Sequence, residues 1–308
     1  MTVIATVVHN PAAGHAASRE RQFRDAIRVL EDGDWRVTVH PTTSQQHGSE
    51  IASAAIAEGT DVVIAAGGDG TINDVIQGLA HAQVALGVLP LGTVNVWARE
   101  AGYSSDAVEC ARQLVAGRKV KLDLGRAGDR FFLLMAGVGL DAEVTAALST
   151  AQARKQKLGV LPYLVRTAKV IPRYKGGTIQ IEMDGTTNSH EALMVLVANT
   201  RLYGGVSRPT PHAVANDGML DVRVFHGTGP GQSVKHIIRF LMERQGRSSA
   251  GDVVRARRVV VTADPPLAVQ VDGDPIGQTP VEIVVERHAL LALVPETYDT
   301  SLISPTHE

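Results

Sequence analysis

From Thr2 to Leu89 the chain alternates between short runs that are apolar on both faces and longer runs with apolar residues at helical spacing. Thr2 to Val8 is β-branched and apolar throughout, as a strand covered on both sides in a parallel sheet would be. The turn Asn10-Pro11-Ala12-Ala13-Gly14 follows. Phe23, Ile27 and Leu30 then mark one face of a helix that Gly33 stops. Trp35 to His40 reads as a second strand, and Thr42 and Thr43 lead into a helix carrying Ile51, Ala55 and Ile56. Asp61 to Ala66 is the third strand, Ile72 to Leu79 a helix, and Val84 to Leu89 the fourth strand. The loop Pro90 to Asn95 and a short helix, Trp97 to Glu100, come next. Strand and helix in alternation predict a parallel sheet with helices on both faces.

After about Leu122 the pattern changes. Phe131–Met135, Thr178–Met183, Leu193–Asn199, Leu220–Phe225, Val259–Ala263, Leu267–Val271 and Val281–Val285 are short strand-like runs separated by Gly, Asp, Asn and Pro turns. They predict a second, largely antiparallel domain. Two helical stretches interrupt it, Tyr163–Ile171 and Ser233–Glu243. The second carries Val234, Ile237, Ile238, Leu241 and Met242 on one face, and its simplest reading is a core-facing amphipathic helix. The fold class is α/β, with a doubly wound first domain at 1–123, a β domain at 124–295, and a tail at 296–308 packing back on the first domain.

Composition narrows the function classes. At 308 residues and 44% hydrophobic, the chain can build two cores. A formal net charge of −2 gives no global reason to bind nucleic acid. A single cysteine, Cys110, excludes internal disulfides and cysteine-rich zinc sites, and its helical surroundings point to a buried structural thiol. The start lacks the basic flank of a signal peptide, and no apolar run approaches the roughly 20 residues of a membrane span. A cytoplasmic protein is expected.

The chemistry concentrates at Ala65-Ala66-Gly67-Gly68-Asp69-Gly70-Thr71, where a buried strand empties into a glycine turn that opens a helix. Its glycines would permit positive φ and close approach of an anion. Its amides sit at the positive end of a helix dipole, which suits phosphate. Asp69 inside such a cradle makes chemical sense if Mg²⁺ accompanies the phosphate. Asn10–Gly14, Thr42, Gly67–Thr71 and the loop Leu91-Gly92-Thr93-Val94-Asn95 all fall at the carboxyl ends of strands, where open α/β sheets bind ligands. Together they describe a nucleotide site, and the reading is a nucleotide-dependent kinase. Thr42 and Thr93 equally suit helix N-caps. Asp272-Gly273-Asp274 offers carboxylates for proton transfer, and equally has the chemistry of a plain β-turn. The histidines lack metal-ligand spacing, and Arg255, Arg257 and Arg258 read as a solvated strand face.

The set of motifs is more specific than any one of them. Asn10–Gly14, Gly67–Asp74, Leu86–Glu100, Tyr203–Val222 and Val269–Pro275, in this order, resemble the bacterial diacylglycerol kinase and lipid kinase family, whose catalytic domain is shared with sphingosine and ceramide kinases. The resemblance spans nearly the whole chain. It implies a first domain like that of NAD kinase, a C-terminal β-sandwich, and activity in the cleft between them. It implies transfer of the γ-phosphate of ATP to a lipid hydroxyl, with diacylglycerol the leading acceptor and phosphatidic acid the product. Phosphatidylglycerol or a sphingoid base, NAD, and a nucleotide-binding regulator without turnover are the alternatives.

Carried over by motif, the nucleotide contacts are Asn10–Gly14, Thr42, Gly68, Asp69, Gly70, Thr71, Ile72, Asn73, Asp74 and Thr93. A structural Mg²⁺ would fall on Val214, Asp217 and Met219, the first and last through carbonyls, and the catalytic carboxylate on Asp274 or Asp272. The chain departs from the family at Val96, where an acid is common, and at Asp274, where Glu is usual. The implied partner is a membrane lipid reached by transient contact with the inner face of the membrane. Nucleic acid is not expected, and a homodimer is left open.

Overall fold

The computed structural model describes residues 2–11, 17–44, 46–149, 174–205, 207–229, 231 and 253–304. The helical stretches Tyr163–Ile171 and Ser233–Glu243 lie outside the described residues, as do Ala12, Ala13 and Gly14. The chain divides into two compact units. The first comprises Met1–Leu124, Ala215–Asp217 and Arg287–Glu308, the second Gly125–Val214 and Gly218–Glu286. Residues 287–295, assigned from sequence to the second domain, belong to the first unit together with the tail.

In the first unit the elements run β1 (Val3–His9), α1 (Ala17–Asp32), β2 (Trp35–Pro41), α2 (His47–Ala57), β3 (Val62–Gly67), α3 (Asp69–Leu79), β4 (Ala85–Pro90), α4 (Val96–Glu100) and α5 (Ala107–Val115). β1 pairs in parallel with β2 on one side and β3 on the other, and β3 pairs in parallel with β4. Every residue of β3 and β4 is buried, which is why both read as unbroken apolar runs. A fifth parallel strand comes from the far end of the chain: the second half of β15 (Val281–Val294) sets Leu291 and Ala292 beside Ala85 and Leu86.

Helix packing is close where glycine allows it. A Cβ on Gly78 of α3 would stand 2.4 Å from the Ser49 carbonyl of α2. Cys110 is buried, and its thiol donates to the Val88 carbonyl at 3.1 Å.

After α5 comes β5 (Arg118–Ala127), which ends in the second unit, and that unit also contains β6 (Arg130–Phe132), β7 (Met135–Gly139), α6 (Leu140–Ser149), β8 (Gly177–Met183), β9 (Thr186–Ala198), β10 (Leu220–His226), β11 (Val253–Ala256), β12 (Arg258–Asp264), β13 (Ala268–Val271) and β14 (Asp274–Gln278). All its strand pairs are antiparallel, in the order β14-β13-β7-β9-β8-β12 and then the first half of β15, with β10 bridging β9 and β11. The run Phe131–Met135, expected as one strand, is two. β6 ends at Phe132 and β7 begins at Met135, because the amides of Leu133, Leu134 and Met135 turn to a side chain.

Candidate active site

In the first unit the strand order reverses between β1 and β3, the place where doubly wound sheets bind ligands. The ends of these strands are joined there: the Asn10 amide donates to the Ala66 carbonyl at 3.0 Å, and Asn10 Nδ2 to Thr71 Oγ1 at 3.3 Å. Thr42 closes the other side, its amide on the His9 carbonyl at 2.8 Å. The amides of Leu91 and Gly92 both reach the Gly67 carbonyl, at 2.9 and 3.1 Å. The structure thus brings Asn10, Thr42, Gly67–Thr71 and Gly92–Asn95 to one sheet edge. Pro11 and Thr93 are exposed, Ile72 and Asn73 buried.

The glycines serve contact rather than conformation. Gly67, Gly68, Gly70 and Gly92 are all absent from the positive-φ region, contrary to the sequence expectation. They permit approach. A Cβ on Gly67 would lie 2.2 Å from Thr71 Oγ1, and one on Gly92 would lie 2.5 Å from Gly68 Cα. At Gly70 a Cβ would meet open space, so the first turn of α3 can be approached by an anion there. The left-handed residue is Asn95 (φ 52°), which precedes α4. Its Nδ2 donates to the Gly92 carbonyl at 3.0 Å, while its buried Oδ1 has no hydrogen-bond partner.

Asp69 has a defined task. Its Oδ1 accepts the amides of Val96 at 2.6 Å and Trp97 at 3.4 Å, so it caps α4 from the start of α3 and ties the Gly92–Asn95 loop to the glycine turn. Burial pushes its carboxyl above the usual range, against the pull of these amides. Val96 meets Asp69 through its backbone, and its own side chain is buried. Asp74 accepts the Gly48 amide of α2 at 2.8 Å. Thr42 and Thr93 are not caps: α2 is preceded by Gln46 and α4 by Asn95. His9 stacks on Phe23 at 4.2 Å, and burial lowers its pKa.

In the second unit, Asp272 and Gly273 form the two-residue loop between β13 and β14, with φ of 46° and 89°. Two positive-φ residues in a hairpin loop are the type I′ arrangement that Asp-Gly favours. The sequence pair differs sharply in role. Asp272 Oδ2 accepts the Leu133 amide at 2.8 Å, and its Oδ1 accepts Leu134 at 3.0 Å and Met135 at 2.8 Å. Asp274, half-buried, is the first residue after the loop, opposite Val271.

Around this loop lies a buried group that the motif reading missed. Asp141, in the first turn of α6, accepts Gln270 Nε2 at 2.7 Å and the Tyr203 hydroxyl. Gln270 Oε1 accepts the Gly273 amide at 2.7 Å. The available signal was Gly137-Val138-Gly139-Leu140-Asp141, a second strand-glycine-helix junction with an acid at the helix start.

Val214, Asp217 and Met219 are each half-buried in the turns before β10. Two carbonyls and a carboxylate are, by residue type, the all-oxygen donors that a hard cation such as Mg²⁺ takes. Among the described residues, no three His, Cys, Asp or Glu side chains gather as a metal cluster. Two of the scattered histidines do meet: His190 and His226 stand edge to face at 5.0 Å. Arg258 is engaged by Glu182 and Glu282, and the Arg257 and Arg258 amides by Asp184. No helix among the described residues is long and apolar enough to cross a membrane.

The chain is similar to known proteins over nearly its whole length. Residues 4–127 match the diacylglycerol kinase catalytic domain, and residues 135–294 match the YegS C-terminal NAD kinase beta sandwich-like domain. The chain is 28% identical over 288 residues to the diacylglycerol kinase of Bacillus subtilis, covering 92% of this chain and 94% of that protein. It is 27% identical over 308 residues to the diacylglycerol kinase of Staphylococcus aureus (strain bovine RF122 / ET3-1), covering 98% and 96%. A crystal structure of a diacylglycerol kinase from Bacillus anthracis superposes with a TM-score of 0.73 at 22% identity, over 96% of this chain and 98% of that one. At that identity the superposition speaks for the fold, an α/β domain with a mainly parallel sheet followed by an antiparallel sandwich-like domain.

Proposed function

The chain belongs to the diacylglycerol kinase family and is a lipid kinase, and from that premise we propose that it moves the γ-phosphate of ATP to the free hydroxyl of diacylglycerol, with Mg²⁺. The observation that carries the nucleotide reading is the β3–α3 junction. A buried parallel strand ends in glycines packed on the Gly92 loop, and Gly70 leaves open space at the start of an eleven-residue helix. A phosphate chain fits such a junction because the backbone can be approached there and the helix dipole favours negative charge. The acceptor reading rests on the curated relatives, which carry the name diacylglycerol kinase over nearly their full length.

Phosphoryl transfer asks the protein for position and charge neutralisation. Asn10, Thr42, Gly68, Gly70 and Thr71 line the phosphates, while Asp69 holds the Gly92–Asn95 loop in place through α4. A bound Mg²⁺ would supply positive charge to the transferring group, and Val214, Asp217 and Met219 would hold a second, structural ion. Asp274 takes the proton of the acceptor hydroxyl. That oxygen bonds to the γ-phosphorus, the bond from phosphorus to the β,γ-bridging oxygen breaks, and ADP leaves with the electron pair. Asp272 is unsuited to this step because both of its oxygens are occupied by backbone amides. Since diacylglycerol resides in a bilayer, the enzyme works at the inner membrane face by transient contact.

The test is incubation with γ-labelled ATP, Mg²⁺ and mixed micelles of diacylglycerol, phosphatidylglycerol or a sphingoid base, with NAD in a parallel tube. Labelled phosphatidic acid is expected. Label confined to another lipid or to NAD overturns the acceptor assignment, and an Asp274→Asn variant with undiminished turnover overturns the base.

A further inference from the structure

The Asp272–Gly273 loop is held more firmly than a hairpin requires. A two-residue type I′ turn is closed by the strand residues that flank it, here Val271 and Asp274. Its own amides and side chains are free to face water. In this protein both loop residues are anchored as well: Asp272 by three amides from Leu133–Met135, and Gly273 by Gln270.

Gln270 and Asp141 are 3% and 4% exposed, so the second anchor is a buried polar chain ending on a carboxylate. The Gly273 amide can only donate, so Gln270 must present its carbonyl to Gly273 and its NH₂ to Asp141. The side-chain amide is therefore fixed in orientation between the loop and the carboxyl group behind it. The Tyr203 hydroxyl donates to the other carboxylate oxygen. The backbone is shaped to admit the pair. Gly137 lies directly across from Gln270 on β7, and a Cβ there would stand 2.5 Å from Asp141 Oδ2 and 2.7 Å from Gln270 Nε2. Burying a carboxyl group and a side-chain amide is costly compared with apolar packing of the same volume, so such a chain is a poor way merely to fill a core.

We infer that Asp141 and Gln270 are positioning residues of the kinase: through the Gly273 amide they fix the loop that presents Asp274. The inference rests on Asp274 being the base. A base one methylene shorter than Glu has less reach, and displacement by about 1 Å can cost on the order of a hundredfold in rate. Neither residue touches substrate in this scheme, so their removal acts on the chemical step and spares binding.

The experiment measures kcat and both KM values for the full chain with diacylglycerol micelles and ATP, for Gln270→Leu, Gly137→Ala, Asp141→Leu, Asp141→Asn and Asp274→Asn, with thermal melting alongside. Gln270→Leu and Gly137→Ala are expected to lower kcat at least about tenfold, with both KM values within about threefold of wild type. Asp141→Asn can still accept from Gln270, so it is expected to recover part of the kcat lost in Asp141→Leu. Wild-type kcat in Gln270→Leu and Gly137→Ala, with Asp274→Asn inactive, overturns the positioning role and leaves the base intact. Full turnover in Asp274→Asn overturns both. A loss in which KM rises as far as kcat falls also overturns it. Should Gln270→Leu fail to fold, Gly137→Ala decides by the same criterion, since it displaces the pair without removing either partner.

Discussion

Replacing Asp272 with Asn tests whether it is a structural carboxylate or the proposed base. Asn keeps one acceptor oxygen, which can stay with the Leu134 and Met135 amides now bound to Oδ1. The NH₂ then faces the Leu133 amide, which now donates to Oδ2 at 2.8 Å. One hydrogen bond to a charged group is lost, worth about 1.5–3 kcal/mol, and a donor is left against a donor. The two surviving bonds weaken because charge-assisted bonds are roughly twice as strong as neutral ones. The total is about 3 kcal/mol, and at roughly 2–4 °C per kcal/mol for a unit of this size the second unit should melt about 6–12 °C lower. Asp274→Asn, at a half-buried position beyond the loop, should shift melting by less than about 2 °C. The assay is calorimetry on both variants with initial rates taken well below either transition. Asp272→Asn should melt early and keep measurable turnover, while Asp274→Asn should melt normally and lose it. An Asp272→Asn protein that melts like wild type and turns nothing over would refute the assignment and make Asp272 the base.

Three further outcomes follow from single positions. Gly70→Ala meets no neighbour and lies outside the positive-φ region, so melting should hold or rise by up to about 1 kcal/mol of helix propensity; KM for ATP should rise at least about tenfold because the Cβ occupies the open approach, and an unchanged KM would remove the phosphate from this junction. Gly78→Ala should destabilise the first unit by about 1–3 kcal/mol despite its better propensity, because the Cβ would stand 2.4 Å from the Ser49 carbonyl; a rise in melting temperature would show that α2 and α3 can separate without cost. Burial pushes the Cys110 thiol well above its usual range, so iodoacetamide at about pH 8.5, where a free thiol is half ionised, should leave the native protein unmodified and alkylate it fully in guanidinium; native labelling would place Cys110 at the surface.

Much of the first unit could be read from period alone, since buried parallel strands write themselves as unbroken apolar runs such as Val62–Gly67 and Ala85–Pro90. The convergence of Asn10, Thr42, Gly68 and Gly92 on one sheet edge followed from strand direction, a local property. Pairing partners far apart in sequence left no such trace. Nothing in Leu290 to Val294 announces that it will lie beside Ala85, because the choice of neighbour is a tertiary fact. Of the two reasons for these glycines, positive φ does not hold: a sequence shows that a Cβ is missing, while only coordinates show whether φ or a neighbouring backbone demanded it. At Gly67 and Gly92 the neighbour did.

The acidic motifs show the same limit in sharper form. Asp61 accepts the Ile4 amide, Asp69 that of Val96, Asp74 that of Gly48, Asp123 that of His288, Asp184 those of Arg257 and Arg258, and Asp272 those of Leu133 to Met135. In each case a short carboxylate accepts a backbone amide that would otherwise need a partner elsewhere. An Asp beside a glycine turn is therefore as much a mark of chain direction changing as of chemistry, and Asp69 and Asp272 each stand in a motif that chemistry would also explain. Geometry separates the two uses. A carboxylate whose oxygens both carry backbone amides cannot take a proton from a substrate without releasing the backbone it holds, which for Asp272 is Leu133 to Met135.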